Sequence, residues 1–315
     1  MATLAQPAVA RRGLLERVGI RGLAAREAAF AYSIVGVIYL FFTLFVFGPL
    51  VLAFFVSFTK WDGLAPLNEA RFVGLDNYLL LFTSERFLMS LWHDFEWTYK
   101  AYIGQIGLGL MLALIVINIS RFQTVARLIA FTPFILPIVA VSILFTILMN
   151  PVWGVFNAVL NFFGLPGSRW LTDPATAMDA AVLMIIWKYA GYYMILFITA
   201  LLAVPQEYYD AAHIDGAGPI QTFWHITVPS ILPAFVFISV INVIGNLQVF
   251  APIFVMTAGG PNRATEVVVL LMYNTAFNNF QYSVANAMAI VLFLIILVLT
   301  VVQMKVLKRG AAAEE

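Results

Sequence analysis

Residues 30–59 contain no charged side chain, and comparable apolar runs recur along the rest of the chain. A helix needs about 20 apolar residues to cross roughly 30 Å of hydrocarbon, and this first run exceeds that length. Of the 315 residues, 63% are hydrophobic and only 10% charged, where a soluble domain carries about 25% charge. Surface grows too fast with size for a water-soluble core to hide that excess. Lipid must solvate the rest. The expected fold class is an all-α integral membrane protein.

Six transmembrane helices are expected, at about 30–59, 95–119, 128–149, 180–204, 229–257 and 281–304. Two further apolar stretches are too short to cross. Residues 150–167 are interrupted by Asn150-Pro151, Asn157, Asn161 and Gly164-Leu165-Pro166-Gly167, which suits a short interfacial helix. Residues 267–277 end in Asn278-Asn279 and suit an interfacial or re-entrant segment packed against protein. Basic residues orient the chain. With the N-terminus inside, Arg11, Arg12, Arg17, Arg21, Arg26, Arg121, Arg127, Lys305, Lys308 and Arg309 share the cytoplasmic side. Only Lys60, Arg71, Arg86, Arg169 and Arg263 face outward, while Lys100 and Lys188 fall within spans. Both termini are then cytoplasmic, as an even number of spans requires.

The domain layout that follows is a cytoplasmic segment at 1–29, a transmembrane domain at 30–306 and a cytoplasmic tail at 307–315. Residues 11–27 set Leu14, Leu15, Val18 and Leu23 among arginines, which fits an amphipathic helix on anionic lipid as well as a solvated positive anchor. The first apolar run is too long for a cleavable signal peptide, and no small-residue cleavage site follows it.

Several function classes are excluded. A net charge of +1 gives no concentrated basic face for nucleic acid. Without cysteine there is no disulfide framework, thiolate metal site or cysteine nucleophile. His93, His213 and His225 are too scattered to suggest a metal cluster, and no pairing of nucleophile with base supports catalysis. The chain also lacks a Gly-x-x-x-x-Gly-Lys-Ser/Thr phosphate cradle.

The loop expected at 205–228 is the polar exception. It lies on the cytoplasmic side yet holds no lysine or arginine, so its surface is committed to something else. Glu207, Asp210 and Asp215 offer carboxylates to arginines or other donors. Ala211, Ala212 and Ala217 are small enough for close approach. Tyr208, Tyr209, Phe223 and Trp224 supply aromatic anchors. Gly216 is placed to end one short helix in a left-handed turn, and Pro219 to start a second. The expected shape is a helix–turn–helix knob. Its plainer alternative is an amphipathic connector with a routine glycine stop.

The order Asp210-Ala211-Ala212, three residues, Gly216, nine residues, then Ile226-Thr227-Val228-Pro229 resembles the EAA loop of permease subunits in binding-protein-dependent ABC importers. Asp210 stands where that pattern has Glu, and Val228 where it has Leu. Thr257-Ala258-Gly259-Gly260-Pro261-Asn262-Arg263-Ala264-Thr265, Tyr273, Ala276-Phe277 and residues 282–287 resemble the carbohydrate-type branch. By itself Gly-Gly-Pro marks only a tight turn. The resemblance covers about residues 95–309 and implies a type I ABC importer permease fold in a prokaryotic cytoplasmic (inner) membrane.

That resemblance implies that the knob docks in a separate ATP-hydrolysing chain and moves with it as a rigid body. The implied partners are a second permease in a heterodimer, two ATP-binding subunits and an extracytoplasmic solute-binding protein. No cofactor belongs to this chain; ATP and Mg sit on the partner ATPases. The ATPase-coupling residues would be Glu207, Tyr208, Asp210, Ala211, Ala212, Asp215, Gly216, Ala217, Phe223 and Pro229.

A sugar path wants amides, hydroxyls and aromatic platforms. Candidates are Tyr189, Tyr192 and Tyr193 on the fourth span, with Asn242, Asn246 and Gln248 on the fifth. Asn242 and Asn246 share a helix face. Interhelical hydrogen bonding explains such residues equally well. Lys100 and Lys188 are expected to snorkel or to neutralise a neighbour, with Asp94 and Glu96 at the rim of the second span. The expected function is import of an oligosaccharide or related sugar by alternating access. Glycerol 3-phosphate or another polar solute on the same architecture is an alternative that would call for lined-up arginines. An ion-coupled secondary transporter would call for buried acids near the midplane, and a scaffold subunit would have no transport path.

Overall fold

The computed structural model describes residues 27–119 and 121–312. Of the amphipathic stretch expected at residues 11–27, residues 11–26 lie outside the described residues. The chain divides into two compact units, Met1–Val56 and Ser57–Glu315. The described part of the first is one helix, α1 (Glu27–Val56). Its most apolar window is exposed all round, the pattern of a helix solvated by hydrocarbon. A π turn at Thr43–Phe47, closed by Gly48 N–H donating to Thr43 O, precedes Pro49. A proline ring collides with the carbonyl four residues earlier, and a widened turn relieves that collision.

The second unit opens with a two-stranded antiparallel ribbon, β1 (Thr59–Lys60) and β2 (Arg71–Phe72), in the register Thr59↔Phe72. This ribbon is the one departure from the all-α expectation among the described residues. Helices α2 (Asp76–Thr83) and α3 (Glu85–Ile117) follow, the latter capped by the Ser84 hydroxyl accepting from Phe87 N–H. Then come α4 (Gln123–Ile135), α5 (Ile138–Leu148), α6 (Val155–Phe162) and α7 (Ala177–Leu202). The rest are α8 (Gln206–Ile214), α9 (Pro219–Leu247), α10 (Ala251–Met256), α11 (Val268–Asn278) and α12 (Tyr282–Ala312).

Helices α3 and α7 form the centre of this unit and run parallel. Gln105 lies beside Ile185, and Gly109 backs on Tyr193. Glycines make the approach possible. A Cβ on Gly109 would stand 2.7 Å from Tyr193 Cβ, and on the side of α7 that meets α4 one on Gly191 would stand 1.8 Å from Ala130 O. Small residues let helix backbones meet where lipid supplies no hydrophobic drive.

Three expectations are corrected. The third span is not one straight helix: α4 and α5 meet at 95° across Leu136-Pro137. Pro137 lacks the N–H that would continue the ladder, and the residue before a proline is pushed to extended backbone. Leu136 has ψ 142 accordingly. The fifth span ends at Leu247, after which residues 248–250 break the chain before α10. The second begins at Glu85, so Asp94 lies inside α3 rather than at a rim; it is 0% exposed, and its Oδ2 accepts from Val268 N–H at 3.2 Å. Among the described residues, five helices are long and apolar enough to cross a membrane, or six if the bent pair is one span. Helix α12 runs on to Ala312 without a break at the expected tail boundary.

Candidate functional site

The candidate residues from the sequence gather in two places, and α9 belongs to both. The first is the turn between α8 and α9. Ala217 N–H donates to Ala212 O at 2.9 Å and Gly216 N–H to His213 O at 3.2 Å, while Gly216 holds φ +74. Those two bonds satisfy carbonyls that a helix end otherwise leaves unpaired. Helix α9 begins at once: Gly218 N–H donates to the Gln221 side chain at 3.0 Å, with Pro219 at the first helical position. The helix–turn–helix shape is thus set by local chemistry.

Around this turn lies a shallow cleft of about 600 Å³ that includes Tyr208, Ala211, Ala212, Asp215, Gly216 and Ala217. Glu207, Asp210 and Ala211 are exposed beside it, whereas Ala212 is buried, so the alanines serve opposite faces. Phe223 and Pro229 are half-buried and belong to the start of α9 rather than to the exposed tip. Tyr209 is not a surface anchor. Its hydroxyl lies 3.3 Å from Thr227 Oγ1 and ties α8 to the π turn Phe223–Thr227. That turn stands two residues ahead of Pro229, as the π turn in α1 stands ahead of Pro49.

Sequence reasoning missed the apolar tip. Ile214 is 86% exposed and Ile220 76%. Isoleucines on either side of Gly216 in an otherwise polar loop were the available signal. Exposed together with Tyr208 and Trp224, they form the kind of patch that marks a protein contact.

The second place is a cavity of about 360 Å³ lined by Tyr189 and Tyr193 of α7 and Asn242 and Asn246 of α9, with Gln248 beyond its end. Five of the six candidate path residues therefore converge. Tyr192 does not: it stacks on Phe134, ring centroids 4.6 Å apart. The residue that organises the cavity is Gln105 of α3. Its Oε1 accepts from Asn242 Nδ2 at 2.7 Å and from Asn246 Nδ2 at 3.0 Å. Its Nε2 donates to Ile185 O at 3.3 Å, and Trp97 Nε1 donates to Asn246 Oδ1 at 3.2 Å. One glutamine in an apolar helix carries no periodic signal, so its position was legible only after α3 and α9 came together.

The two lysines within spans have separate explanations. Lys100 pairs with Glu96 at 2.7 Å and with Asp179, neutralising neighbours as expected. Lys188 does neither of the expected things. Its ammonium donates to three carbonyls, those of Pro133 and Phe134 at 3.1 Å and that of Leu136. These are the acceptors freed where α4 ends at the bend. Among the described residues no group of acids and histidines could hold a metal ion.

Residues 105–310 match the family described as binding-protein-dependent transport system inner membrane component. The chain belongs to that family. Both places above lie in the matched region. The chain is similar to the probable ABC transporter permease YurN of Bacillus subtilis, 33% identical over 86% of this chain and 94% of that one. It is similar to the permease MsmF of a multiple sugar-binding transport system in Streptococcus mutans, 33% identical over 84% and 90%. In fold it is similar to a bacterial ABC transporter involved in import of the acidic polysaccharide alginate, with a TM-score of 0.79 at 23% identity, covering 90% and 96%. Members of this family matched here are permease subunits, so the chain is a multi-pass transport component and not an enzyme.

Proposed function

We propose that this chain is one permease subunit of an ATP-driven importer that moves a sugar by alternating access. The observation that carries the reading is the continuity of α9. One helix starts at the Gly216 turn and delivers Asn242 and Asn246 to the buried cavity. From Pro219 to Asn242 that is about 35 Å at 1.5 Å per residue. A displacement of the turn is transmitted to the cavity without an intervening loop, which is what a lever between a motor and a transport path requires.

The cavity suits a polar, uncharged solute. It offers two phenols and four amides, and the cation nearest to it in sequence, Lys188, is committed to backbone carbonyls. A sugar fits this chemistry better than glycerol 3-phosphate, whose charge would want free arginines or lysines. The relative of Streptococcus mutans, named for multiple sugars, supports the same class. The asparagine–glutamine bonds also make the cavity a helix-to-helix fastening, so solute must compete with them or the helices must shift to release them. The proposed assembly has a second permease, two ATP-binding chains carrying ATP and Mg, and an external solute-binding protein, in a prokaryotic cytoplasmic membrane with both termini inside.

The test is uptake into proteoliposomes holding the assembled importer, with radiolabelled sugars presented on the binding protein. Uptake should require ATP inside and be insensitive to proton or sodium ionophores. Uptake that persisted without ATP and followed an ion gradient would overturn the reading.

A further inference from the structure

A cavity of about 730 Å³ lies at the other end of the helices from the Gly216 turn. Chain order places it there: α9 runs from the turn to Leu247, and the cavity wall is built by residues 60–80 and by the start of α12. Its size is within the 300–1,000 Å³ usual for small-molecule sites.

Its floor is pre-built. Asn77 Nδ2 donates to Ser57 O at 2.8 Å and Thr59 O at 2.7 Å, fixing the ribbon to α2. The Ser283 hydroxyl accepts from Trp61 N–H at 2.9 Å, fixing the same segment to α12. Trp61 is held in place by its Nε1 donating to Ala65 O at 2.7 Å and by ring contact with Tyr282 at 5.8 Å. Gly63 admits no Cβ, which would stand 2.3 Å from the Tyr282 ring. Phe280, also in the lining, is held at φ +53, a conformation that costs energy for a bulky side chain.

The lining then combines two aromatic rings, Trp61 and Phe280, with Lys60, Glu69, Asp76 and Gln281. Aromatic faces cover the apolar faces of a pyranose ring, and carboxylate, amide and ammonium groups take its hydroxyls. Charge narrows the class further. Lys60 is outnumbered by Asp62, Glu69 and Asp76. Asp62 Oδ1 accepts from Leu64 N–H at 3.0 Å and Ala65 N–H at 3.2 Å, which hold its carboxyl below the usual carboxylate range. An anionic sugar meets repulsion there; a neutral or aminated one does not.

We propose that this cavity is a second sugar site, a reception pocket for a neutral or amino sugar at the end of the permease remote from its coupling turn. It rests on the reading of the solute as a sugar, but it concerns a different site from the cavity at Gln105.

The test is saturation-transfer NMR and calorimetry on the assembled importer in lipid nanodiscs, without nucleotide and without the binding protein. The probes are maltose, a chitosan dimer and a uronic acid dimer, each up to 10 mM. Maltose or the chitosan dimer should bind, with affinity lowered at least fivefold by Trp61→Ala and preserved within about twofold by Trp61→Phe. Glu69→Gln with Asp76→Asn should weaken the chitosan dimer most and leave the fold intact, checked by an unchanged thermal midpoint. Absence of binding by all three probes would overturn the proposal, as would binding indifferent to Trp61→Ala or preference for the uronic acid dimer. Binding present in detergent but lost in phosphatidylethanolamine and phosphatidylglycerol nanodiscs would assign the cavity to lipid headgroups and overturn it too. ATP-dependent uptake in the same preparation separates the two ideas. Uptake without Trp61-dependent binding sinks only the reception pocket, whereas sugar uptake that needs no ATP sinks the importer reading.

Discussion

Lys188 carries a charge among helices that face hydrocarbon, and its partners are backbone oxygens rather than an acid. The bend at Pro137 leaves carbonyls at the end of α4 without helical donors, and a buried acceptor left unpaired costs about 1–3 kcal/mol. Lys188→Met keeps the length and the apolar stem while removing every one of those bonds. We expect its thermal midpoint in detergent to fall markedly, with Lys188→Arg intermediate. An unchanged midpoint for Lys188→Met would mean the carbonyls find other donors. A lysine in an apolar run was legible in the sequence as costly, but what compensates it was not. The acceptors lie more than 50 residues away, and nothing local marks them.

At the scale of elements, the connection between α8 and α9 behaves differently. Its geometry is written in consecutive residues: an alanine helix, a glycine at positive φ, a proline start. No atom lies within 4 Å of a Cβ added to Gly216, so replacement there is penalised by backbone conformation and not by a clash. The left-handed conformation costs a side-chain-bearing residue about 1–2 kcal/mol, with Asn among the exceptions. Gly216→Asn should therefore retain most ATP-driven uptake, while β-branched Gly216→Val should lower it severalfold. Equal uptake in both variants would show that the turn is not mechanically important. The helix–turn–helix was foreseeable for this reason, whereas the break between α4 and α5 was not. Pro133 and Pro137 both stand in that apolar run, yet α4 carries Pro133 without stopping and ends before Pro137. Which proline breaks the helix depends on whether its freed carbonyls find a donor, and Lys188 supplies one.

For the molecule as a whole, the proposed orientation rests on the distribution of basic residues. The chain has no cysteine, so single introduced cysteines report cleanly. A membrane-impermeant maleimide added to intact cells should label Asn262→Cys or Trp153→Cys. It should reach Ile214→Cys only after the membrane is opened. Labelling of Ile214→Cys in sealed cells would invert the topology and remove the coupling turn from the ATP side.

Composition and the spacing of apolar runs sufficed for a helical membrane protein and its polar turn, though not for where the spans bend or break, because hydrocarbon forces each backbone to satisfy itself locally and leaves little choice of element. Choice of partner was another matter. That Gln105 accepts from both Asn242 and Asn246 and so ties α3 to α9, that Asp94 meets Val268, and that Trp61 is pinned beside Tyr282 were decided only when the helices assembled. Hydrogen bonds between distant segments have no periodicity along the chain, since they depend on which faces meet and at what height.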